Sequence, residues 1–389
     1  MSAKNTDLLH VEPKQVVIPM QQHIGAPCTP LVKVGDRVLR GQKIGDSEGL
    51  CVPVHASVSG TVCAIERRPH PGLGGVMAVV IENDFLDETA PAVIPADDED
   101  SILHAIREAG IVGMGGAAFP GNAKALSAMG NVDTMIANGC ECEPYITADD
   151  IMLRTNLEQV LECMMILRNI LHPERVVLAV EDNKAEAIAK IRAVADKYPE
   201  IELRVLPTRY PQGSEKQLIK AVTNREVEPG KLPVSAGCAV FNVSTFAAIY
   251  RAVKLGTPLR DLIEAAGGMH DITERVICGG PMMGRAQGTL DAPVIKATGA
   301  ILCLPKDKNG AAENPVCLRC GKCVGVCPMH LQPLYMYRFV KANRMDELAR
   351  LNIMDCMECG SCAFTCPGKL PLVERFRKGK QMVREASAK

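Results

Sequence analysis

Two closely spaced groups of cysteines near the carboxyl terminus are the most chemically informative residues of this sequence. Each group follows the pattern C-x2-C-x2-C-x3-C-P, and the first lies in NPVCLRCGKCVGVCPMH, residues 314–330. Three cysteines at this spacing wrap a tight loop around one face of an iron–sulfur cubane, and the fourth reaches a second cluster. The repeat therefore predicts two [4Fe–4S] clusters that share ligands between its halves. The predicted ligands are Cys317, Cys320, Cys323 and Cys366 for the first cluster, and Cys327, Cys356, Cys359 and Cys362 for the second.

A zinc ribbon is the alternative explanation of clustered cysteines. Its C-x2-C pairs need no third cysteine at the same short interval, so two complete copies of the longer pattern favour iron–sulfur clusters. Two clusters in one small domain predict a path for single electrons. Such a path needs a second redox partner at its other end.

A glycine-rich segment upstream, GIVGMGGAAFPGNAK at residues 110–124, is the first candidate for that other end. Backbone amides at Gly113, Gly115 and Gly116 could approach a phosphate or a flat ring, and Lys124 could neutralise phosphate charge. The segment matches neither the G-x-G-x-x-G fingerprint nor the G-x-x-x-x-G-K-S/T loop. On the residues alone, a tight turn before a helix explains it equally well.

An acidic segment, ANGCECEPYITADD at residues 137–150, follows a strand-like run. If the segment is extended, Glu141 and Glu143 lie on the same side of it, where they could bind ribose or ring nitrogens. A solvated turn is the simpler alternative. Cys140 and Cys142 have no third or fourth cysteine nearby in the sequence, so we do not expect a metal at this position.

Composition limits the classes of function. The chain has 389 residues, a formal net charge of −1 and no tryptophan, so it lacks the basic footprint and the aromatic platforms of a nucleic-acid binder. It has 17 cysteines, no apolar run of a membrane-spanning length and no signal-peptide pattern in MSAKNTDLLH. We therefore expect a cytoplasmic protein with reduced thiols and no transmembrane segment. The scattered cysteines expected to fill core positions are Cys28, Cys51, Cys63, Cys163, Cys238, Cys278 and Cys303.

The elements that position these residues form several domains, as the length requires. Short β-branched runs at 15–83 predict a small β-sandwich or barrel, and they resemble the barrel-sandwich fold of lipoyl and biotinyl domains. Those domains modify a lysine in a hairpin turn. The matching turn here is VSGT, residues 58–61, so we expect a docking module instead of a swinging arm.

After an acidic linker at 93–101, strand-like runs (TMIANG, RVVLAVE, IELRVLP) alternate with helical patterns (DIMLRTNLEQVLECMMILRNIL at 150–171 and NKAEAIAKIRAVADKY). This alternation predicts an α/β layer with a largely parallel sheet. A helix at LGTPLRDLIEAAGGM and a strand at ERVICGGPMMG come next, and the helix LQPLYMYRFVKANRMDELARL separates the two cysteine groups. We place the domains at 1–92, 101–250, 251–305 and 312–389.

Four segments, in order, resemble the flavoprotein fold of the NADH-binding subunit of respiratory complex I. They are the glycine-rich segment, NGCECEP (138–144), YPQGSEK (210–216) and NVST (242–245). A closer resemblance is to the C subunits of Rnf complexes, which are ion-translocating ferredoxin:NAD oxidoreductases. It covers about residues 14–380, because it adds the twin cysteine motif and the N-terminal segment VVIPMQQHIGAPCTPLVKVGDRVLRGQKIG. It implies a multidomain α/β protein with an N-terminal barrel-sandwich β domain, a Rossmann-like flavin and NADH domain, a truncated β-grasp (SLBB-like) segment, and an α-rich, bacterial-type two-cluster ferredoxin domain.

The resemblance also implies cofactors and partners. NADH delivers two electrons as hydride and a cluster accepts one, so FMN is the expected converter between NAD(H) and the two clusters. Hydride transfer needs no acid or base, and we assign no catalytic residue. The implied position is peripheral, on the cytoplasmic side of the cell membrane. The implied partners are membrane-embedded and flavin-bearing Rnf subunits, with ferredoxin as an indirect partner.

The resemblance assigns site residues by position. Gly113, Gly115, Gly116 and Lys124 would cradle the FMN phosphate and ring; Asn138, Glu141, Tyr210, Gly213, Asn242 and Thr245 would complete the flavin pocket; Phe119 would lie near the nicotinamide; and Glu143 and Glu215 would contact NADH.

The chain departs from the family pattern at two positions of the glycine-rich segment: Ala118 stands where glycine is common, and Gly121 where threonine is. The family's usual strand pair in the β-grasp domain is also missing around Val253 and Lys254, so we expect that domain to be truncated. Two further hypotheses remain. One is a cobalamin reductase, which typically lacks the N-terminal barrel-sandwich; the other is an electron-relay adaptor whose flavin site has decayed.

Overall fold

The N-terminal domain consists of two small antiparallel sheets. The computed structural model describes residues 12–90, 98–114, 116–250, 273–278, 280–290, 301–305 and 315–387. The strands of this domain are β1 (Gln15–Pro19), β2 (Thr29–Pro30), β3 (Arg37–Val38), β4 (Lys43–Asp46), β5 (Val54–His55), β6 (Gly60–His70) and β7 (Gly74–Asn83). One sheet has the order β1-β7-β6-β3 and the other β2-β4-β5.

The core of this domain follows from strand alternation. In β1, Val16 and Ile18 point into the main cluster between the sheets, whereas Val17 packs on the opposite face against β7. In β6, Val62 is buried and the next residue, Cys63, faces solvent. The expectation that Cys63 fills a core position is therefore wrong, because successive strand residues face opposite sides.

Other scattered cysteines divide in the same way. Cys163 and Cys238 are buried as expected, Cys278 is half-buried, and Cys303 is exposed, which corrects the expectation for the last two. Cys28 and Cys51 are buried, but they lie side by side. Their arrangement is analysed separately below.

The central domain is an α/β layer around a four-stranded parallel sheet in the order β10-β9-β8-β11. Its strands are β8 (Thr134–Gly139), β9 (Arg175–Glu181), β10 (Ile201–Leu206) and β11 (Cys238–Asn242). Its helices are α1 (Glu99–Glu108), α2 (Gly121–Ala128), α3 (Ala148–Thr155), α4 (Leu157–Leu171), α5 (Ala185–Val194), α6 (Glu215–Thr223) and α7 (Val243–Tyr250). Because all four strands run the same way, their carboxyl ends meet at one edge of the sheet.

Both faces of this sheet are covered, as parallel sheets require. Met135 and Leu178 belong to a large core with α1, α2, α4, α5 and α7. On the other face, Ile136 and Val177 pack against α6. The expected parallel α/β layer is thus observed, and the runs TMIANG and RVVLAVE form β8 and β9 from end to end.

Three short strands represent the segment between the central and C-terminal domains. They are β12 (Thr273–Cys278), β13 (Arg285–Ala286) and β14 (Ile301–Pro305), and they pair antiparallel in the order β13-β12-β14. The strand expected at ERVICGGPMMG corresponds to β12. The helix expected at LGTPLRDLIEAAGGM, and with it much of the expected β-grasp segment, lies outside the described residues.

The C-terminal domain is helical and repeats its backbone geometry. Its helices are α8 (Lys322–Gly325), α9 (Pro333–Lys341), α10 (Met345–Arg350), α11 (Ser361–Phe364) and α12 (Leu372–Ser387). Gly321 and Gly360 both have left-handed φ values (75° and 80°) directly before the short helices α8 and α11. The two cysteine loops therefore share one backbone path, and their halves pack on a common core that contains Met336 and Phe376.

Two predicted helices are each interrupted. The pattern over 150–171 forms α3 and α4 with a break at Asn156, whose φ of −134° leaves the helical region. The pattern over 331–351 forms α9 and α10, and Asn343 between them has a left-handed φ of 53°. Asparagine accommodates such breaks because its side chain replaces helical hydrogen bonds locally.

Among the helices that the structure describes, none combines the length and the apolar character needed to span a bilayer.

Candidate flavin and iron–sulfur sites

The residues assigned to a nucleotide site gather at the carboxyl edge of the parallel sheet. Asn138 is the penultimate residue of β8, and Asn242 is the last residue of β11. Tyr210 and Gly213 lie in the loop that follows β10. Ligands of open parallel sheets bind at this edge, where loops diverge from the strand ends.

Hydrogen bonds hold the loops after β8 and β10 against each other. Asn138 Nδ2 donates to the Gly213 carbonyl at 2.9 Å, while its Oδ1 accepts from the Cys140 N–H at 3.0 Å. The Gly213 N–H points to the Cys142 sulfur at 3.4 Å. A Cβ on Gly213 would lie 2.1 Å from the Cys140 carbonyl oxygen, so only glycine permits this approach.

The glycine-rich segment forms a closed turn between α1 and α2. The Gly113 N–H donates to the Phe119 carbonyl at 2.8 Å, and the Met114 N–H donates to Thr245 Oγ1 at 2.9 Å. Gly116 is exposed and Phe119 is half-buried, whereas Gly115 is outside the described residues. The turn thus presents exposed backbone beside the start of α7.

Ala118 explains why the family pattern has glycine at this position. Its φ is +52°, a left-handed conformation that costs an L-residue with a Cβ about 1–2 kcal/mol. Its side chain is buried against Val52 and Val112. The alanine therefore keeps the backbone path that glycine would take, at a cost in strain.

Lys124 and Glu215 form an ion pair with each other. Lys124 was expected to neutralise an FMN phosphate and Glu215 to contact NADH. The Lys124 ammonium also lies 5.4 Å from the centre of the Phe241 ring. A bound phosphate would compete with the Glu215 carboxylate for this ammonium group.

A cluster of acidic side chains surrounds Lys184 below the sheet edge. Glu141 accepts from the backbone N–H groups of Asp149 and Asp150 at 3.0 and 3.4 Å, and lies 3.6 Å from the Lys184 ammonium. Burial and then the neighbouring Asp149 carboxylate raise the pKa of Glu141 to about 7. Asp149 itself accepts from Asn242 Nδ2 and Ser244 Oγ, both at 2.7 Å, and burial raises its pKa.

Glu181 supplies unsatisfied polar atoms at the same edge. It is the last residue of β9 and is fully buried, with Lys184 and the Arg209 backbone N–H nearby, yet neither carboxylate oxygen makes a hydrogen bond of ordinary geometry. The Gln212 amide nitrogen is unsatisfied too. Buried polar atoms usually have partners. These two groups fit a polar ligand with donors and acceptors, such as a flavin.

The sequence led us to expect Glu141 and Glu143 on the same side of one extended segment. In the structure the two side chains lie in different environments. The chain leaves the extended conformation after Gly139. Glu141 then turns toward α3, whereas Glu143 accepts from the backbone N–H groups of Met282 and Met283 at 3.4 and 3.1 Å. The expectation fails because alternation holds only while the strand continues.

The second set of cysteines lies next to the central domain. Tyr210 Oη donates to the Cys359 carbonyl at 2.7 Å, Gln217 Nε2 donates to the Pro328 carbonyl at 3.0 Å, and the Gly230 N–H donates to Asp355 Oδ1 at 2.6 Å. Each of these bonds joins the loop after β10, or α6 and its following loop, to residues beside Cys327, Cys356 or Cys359.

One small cavity is lined by Cys327, Cys356, Cys359 and Cys362. The remaining lining is largely apolar and includes Leu331, Met336 and Phe376. Burial and then the neighbouring Cys356, Cys359 and Cys327 thiols raise the pKa of Cys362 to about 12. Iron binding reverses this preference, because a metal ligates the thiolate. Four convergent thiols in an apolar cavity fit an iron–sulfur cluster.

The first set of cysteines is more exposed. Cys320 is exposed, and Cys317 and Cys323 are half-buried. Burial and then the Cys366 and Cys317 thiols raise the pKa of Cys323. Among all eight cysteines, each of which the structure describes, no three sulfurs lie within 4.8 Å of one another. This spacing is wider than that around a single ion.

Sequence reasoning missed three residues of this candidate nucleotide site: Asp149, Glu181 and Lys184. Glu181 and Lys184 had a recognisable signal, since an acidic residue ends a strand-like run and a lysine follows within one turn. Asp149 lies within the acidic segment already noted, but only the fold brings Asn242 and Ser244 to it.

Three family models match the chain. The RnfC barrel sandwich hybrid domain matches residues 3–86, the Nuo51 FMN-binding domain residues 106–251, and the 4Fe-4S dicluster domain residues 311–367. The chain therefore has a barrel-sandwich domain, a domain of the FMN-binding class and a C-terminal dicluster domain.

Several known proteins are similar over most of the chain. The C subunit of the Na(+)-translocating ferredoxin:NAD(+) oxidoreductase complex of Acetobacterium woodii is 43% identical, over 96% of this chain and 91% of that protein. The C subunit of the proton-translocating ferredoxin:NAD(+) oxidoreductase complex of Clostridium ljungdahlii is 40% identical, over 82% and 77%. The C subunit of the ion-translocating oxidoreductase complex of Pectobacterium carotovorum is 37% identical over 96% of this chain, which spans about half (54%) of that protein.

Among solved structures, an NAD+-reducing [NiFe]-hydrogenase in the H2-reduced state has a similar fold. Its chain superposes with a TM-score of 0.52 at 18% identity, covering 76% of this chain and 66% of its own. At this identity the likeness concerns the fold alone.

Proposed function

Because the chain belongs to the family of Rnf complex C subunits, we propose that it passes electrons between NAD(H), FMN and two [4Fe–4S] clusters within an ion-translocating ferredoxin:NAD oxidoreductase. The observation that carries the proposal is the direct contact between the nucleotide edge of the sheet and the second cysteine set, through Tyr210 and Cys359. An electron path needs this adjacency.

We assign FMN to the carboxyl edge of the parallel sheet, in a Rossmann-like domain at 101–250. The cofactor residues are Gly113, Gly115, Gly116, Phe119, Lys124, Asn138, Glu141, Glu143, Tyr210, Gly213, Glu215, Asn242 and Thr245. The exposed glycine turn and the unsatisfied Glu181 and Gln212 groups support this assignment. The remaining domains are 1–92, a shortened β-grasp segment at 251–305, and 312–389.

Bound FMN would exchange hydride with NAD(H) and single electrons with the clusters. The chain's residues hold the reacting groups in place. Asn138 and Gly213 fix the two loops at the sheet edge, and Thr245 fixes the glycine turn. The apolar walls of the cysteine cavity would limit the access of water to a bound cluster, and N–H···S bonds such as that from Leu331 to Cys327 would help to set its potential.

The two clusters take different positions on the proposed path. The cluster of Cys327, Cys356, Cys359 and Cys362 is next to the flavin domain. The cluster of Cys317, Cys320, Cys323 and Cys366 is the outer one. Leu318 and Phe364 beside it are exposed by 65% and 77%. This apolar rim supports electron exchange with another subunit at the outer cluster.

The relatives are named as subunits of such complexes, and we extend this to partners and location. The chain would sit peripherally on the cytoplasmic side of the membrane, beside membrane-embedded and flavin-bearing subunits, and would reach ferredoxin only indirectly.

Anaerobic spectroscopy with two cysteine variants tests the path. The wild-type chain should contain about eight iron atoms and one FMN, and NADH should bleach the cluster absorbance. In Cys320→Ser, which alters the outer cluster, NADH should still reduce the inner cluster. In Cys359→Ser, the remaining outer cluster should be reduced by dithionite but no longer quickly by NADH.

The same experiment separates the competing hypotheses. If dithionite reduces the wild-type clusters and NADH never does, and no FMN is bound, the chain is an electron-relay adaptor and the proposal is wrong. The barrel-sandwich match at 3–86 favours the Rnf family over a cobalamin reductase.

A further inference from the structure

A buried histidine and two buried cysteines lie together in the barrel-sandwich domain, away from the iron–sulfur cysteines. The Cys28 and Cys51 sulfurs are 3.4 Å apart, and His23 Nε2 lies 4.0 Å from the first and 3.6 Å from the second. All three residues are at least 94% buried. Their ligand atoms lie within 4.8 Å of one another, as the ligands of a single ion do. From this geometry we propose that His23, Cys28 and Cys51 bind one zinc ion.

A backbone carbonyl oxygen supplies the fourth ligand atom and completes a tetrahedron. The Val52 carbonyl oxygen lies 3.2 Å from His23 Nε2, 3.3 Å from the Cys28 sulfur and 3.7 Å from the Cys51 sulfur. A regular tetrahedron with edges of about 3.5 Å places its corners about 2.1 Å from its centre, close to the usual Zn–N and Zn–S distances. The four atoms therefore surround a point at bonding distance for zinc, without rearrangement of the loops.

The surroundings prepare the histidine for a metal. His23 Nδ1 lies 3.2 Å from the Ile24 carbonyl, which would accept the Nδ1 proton once Nε2 binds the metal. Metal-binding histidines almost always donate their second N–H to an acceptor of this kind.

The backbone fixes the two ligand loops relative to each other. The Ala26 N–H donates to the Leu50 carbonyl at 3.0 Å, between the loop of His23 and Cys28 and the loop of Cys51. A Cβ on Gly25 would lie 2.0 Å from the same carbonyl oxygen, so glycine is required where the loops meet. A site held by the fold loses little entropy when it binds a metal.

Charge and ligand type select zinc. Two thiolates neutralise a divalent ion, so the loaded site is neutral and suits a buried, dry location. The two thiols release their protons when the metal binds. Imidazole and thiolate ligands favour zinc over magnesium or calcium, which take oxygen ligands. The tetrahedral arrangement of the four ligand atoms also favours zinc.

The site adjoins the glycine turn. The Ile24 N–H donates to the Ala118 carbonyl at 3.2 Å, and Val52 packs against Val112 and Ala118. A metal bound to His23 and Val52 would therefore also stabilise the glycine turn, which belongs to the central domain, through these contacts between the first two domains. Its role is structural, because protein atoms fill all four positions around the ion.

Elemental analysis of the anaerobically purified full chain tests the proposal. The wild-type protein should contain about one zinc atom per chain in addition to its iron. Cys51→Ala and Cys28→Ala should each lower zinc at least tenfold and leave the iron content unchanged. Cys63→Ala, an exposed cysteine of the same domain, should retain both metals.

Zinc-edge X-ray absorption on the wild type gives a second measurement that does not depend on variants. It should show two sulfur neighbours at about 2.3 Å and two lighter neighbours at about 2.0–2.1 Å. Hydrogen exchange should then show faster exchange at residues 112–119 in Cys51→Ala. A wild-type chain without zinc, or a Cys28–Cys51 disulfide detected as a loss of two free thiols under anaerobic purification, would overturn the proposal.

Discussion

At the scale of single residues, Glu141 combines burial with a second carboxylate close by. Its side chain is about 5% exposed, and its pKa is raised to about 7 by burial and by Asp149. The backbone amides at the start of α3 and the Lys184 ammonium favour the ionised carboxylate, but they offset only part of the unfavourable effect of burial and of Asp149. Such perturbed carboxyl groups are enriched in binding and catalytic sites.

The titration of Glu141 gives stability a definite pH dependence. The folded chain holds a proton on Glu141 up to about pH 7, whereas the unfolded chain releases it near pH 4.5, so stability falls as pH rises between these values. Relative to Glu141→Gln, the wild type should lose up to about 3 kcal/mol across this window. Anaerobic denaturant unfolding of both proteins at about pH 5 and pH 7.5 measures the difference. Parallel pH profiles would contradict the prediction.

The left-handed conformation of Ala118 predicts the effect of two substitutions. Ala118→Val should lower the free energy of unfolding by about 2–3 kcal/mol, because a β-branched side chain is strained at φ +52° and overfills the contact with Val52 and Val112. Ala118→Gly should stay within about 1 kcal/mol of the wild type, since relief of strain offsets the lost methyl group. Chemical denaturation of the three proteins checks the order, and equal losses in both variants would refute it.

At the scale of elements, the loop after β10 joins the nucleotide edge to the inner cluster loop. Tyr210 Oη donates to Cys359, and Gln217 on α6 donates to Pro328. Glu143 reaches the turn after β12 in the same region. In the proposed arrangement, the distance between the flavin and the inner cluster would therefore depend on three loops that meet at one place.

Tyr210→Phe tests that connection. Loss of the 2.7 Å hydrogen bond leaves the Cys359 carbonyl without this partner and should cost about 1 kcal/mol of stability. The looser contact should also slow reduction of the clusters by NADH several-fold in rapid-mixing experiments. Tyr335→Phe, at a half-exposed tyrosine on α9, is the matched control and should change neither value. A variant Tyr210→Phe with wild-type stability and rate would show that the bond does not couple the domains.

At the scale of the whole molecule, the barrel-sandwich domain is tied to the central domain by charge as well as by the proposed zinc site. Arg107 at the end of α1 binds both carboxylate oxygens of Asp46 on β4, at 2.9 and 3.3 Å, and Lys43 on β4 pairs with Glu108. These side chains are 15–32% exposed, so solvent screens them only in part.

Arg107→Ala should therefore weaken the contact between the two domains. We expect a loss of about 1–2 kcal/mol at low ionic strength, because the variant leaves Asp46 without its bidentate partner. At about 1 M salt the difference from the wild type should shrink, since the ion pair is then screened. Arg204→Ala, an exposed arginine on β10, serves as the control. A loss that is independent of salt would indicate packing instead of charge.

The sequence alone determined the parts of this protein that depend on local pattern. The strands TMIANG and RVVLAVE, the parallel sheet and the two cysteine repeats follow from periodicity and spacing, which act over a few residues. Local pattern failed where one residue leaves the regular conformation, as at Asn156 and Asn343, and where a strand ends, as before Glu141 and Glu143.

Only the tertiary structure decided which distant residues meet. No spacing in the sequence relates Cys28 to Cys51 and His23, or Asp149 to Asn242, because each pair is joined by the folding of loops from different strands. The same holds for which set of cysteines adjoins the central domain, since the contact of Tyr210 with Cys359 spans 149 residues of chain. The spacing of cysteines along the sequence predicts which residues of one loop can bind a metal, because that spacing is local. Which loops come together in one site depends on the packing of distant segments.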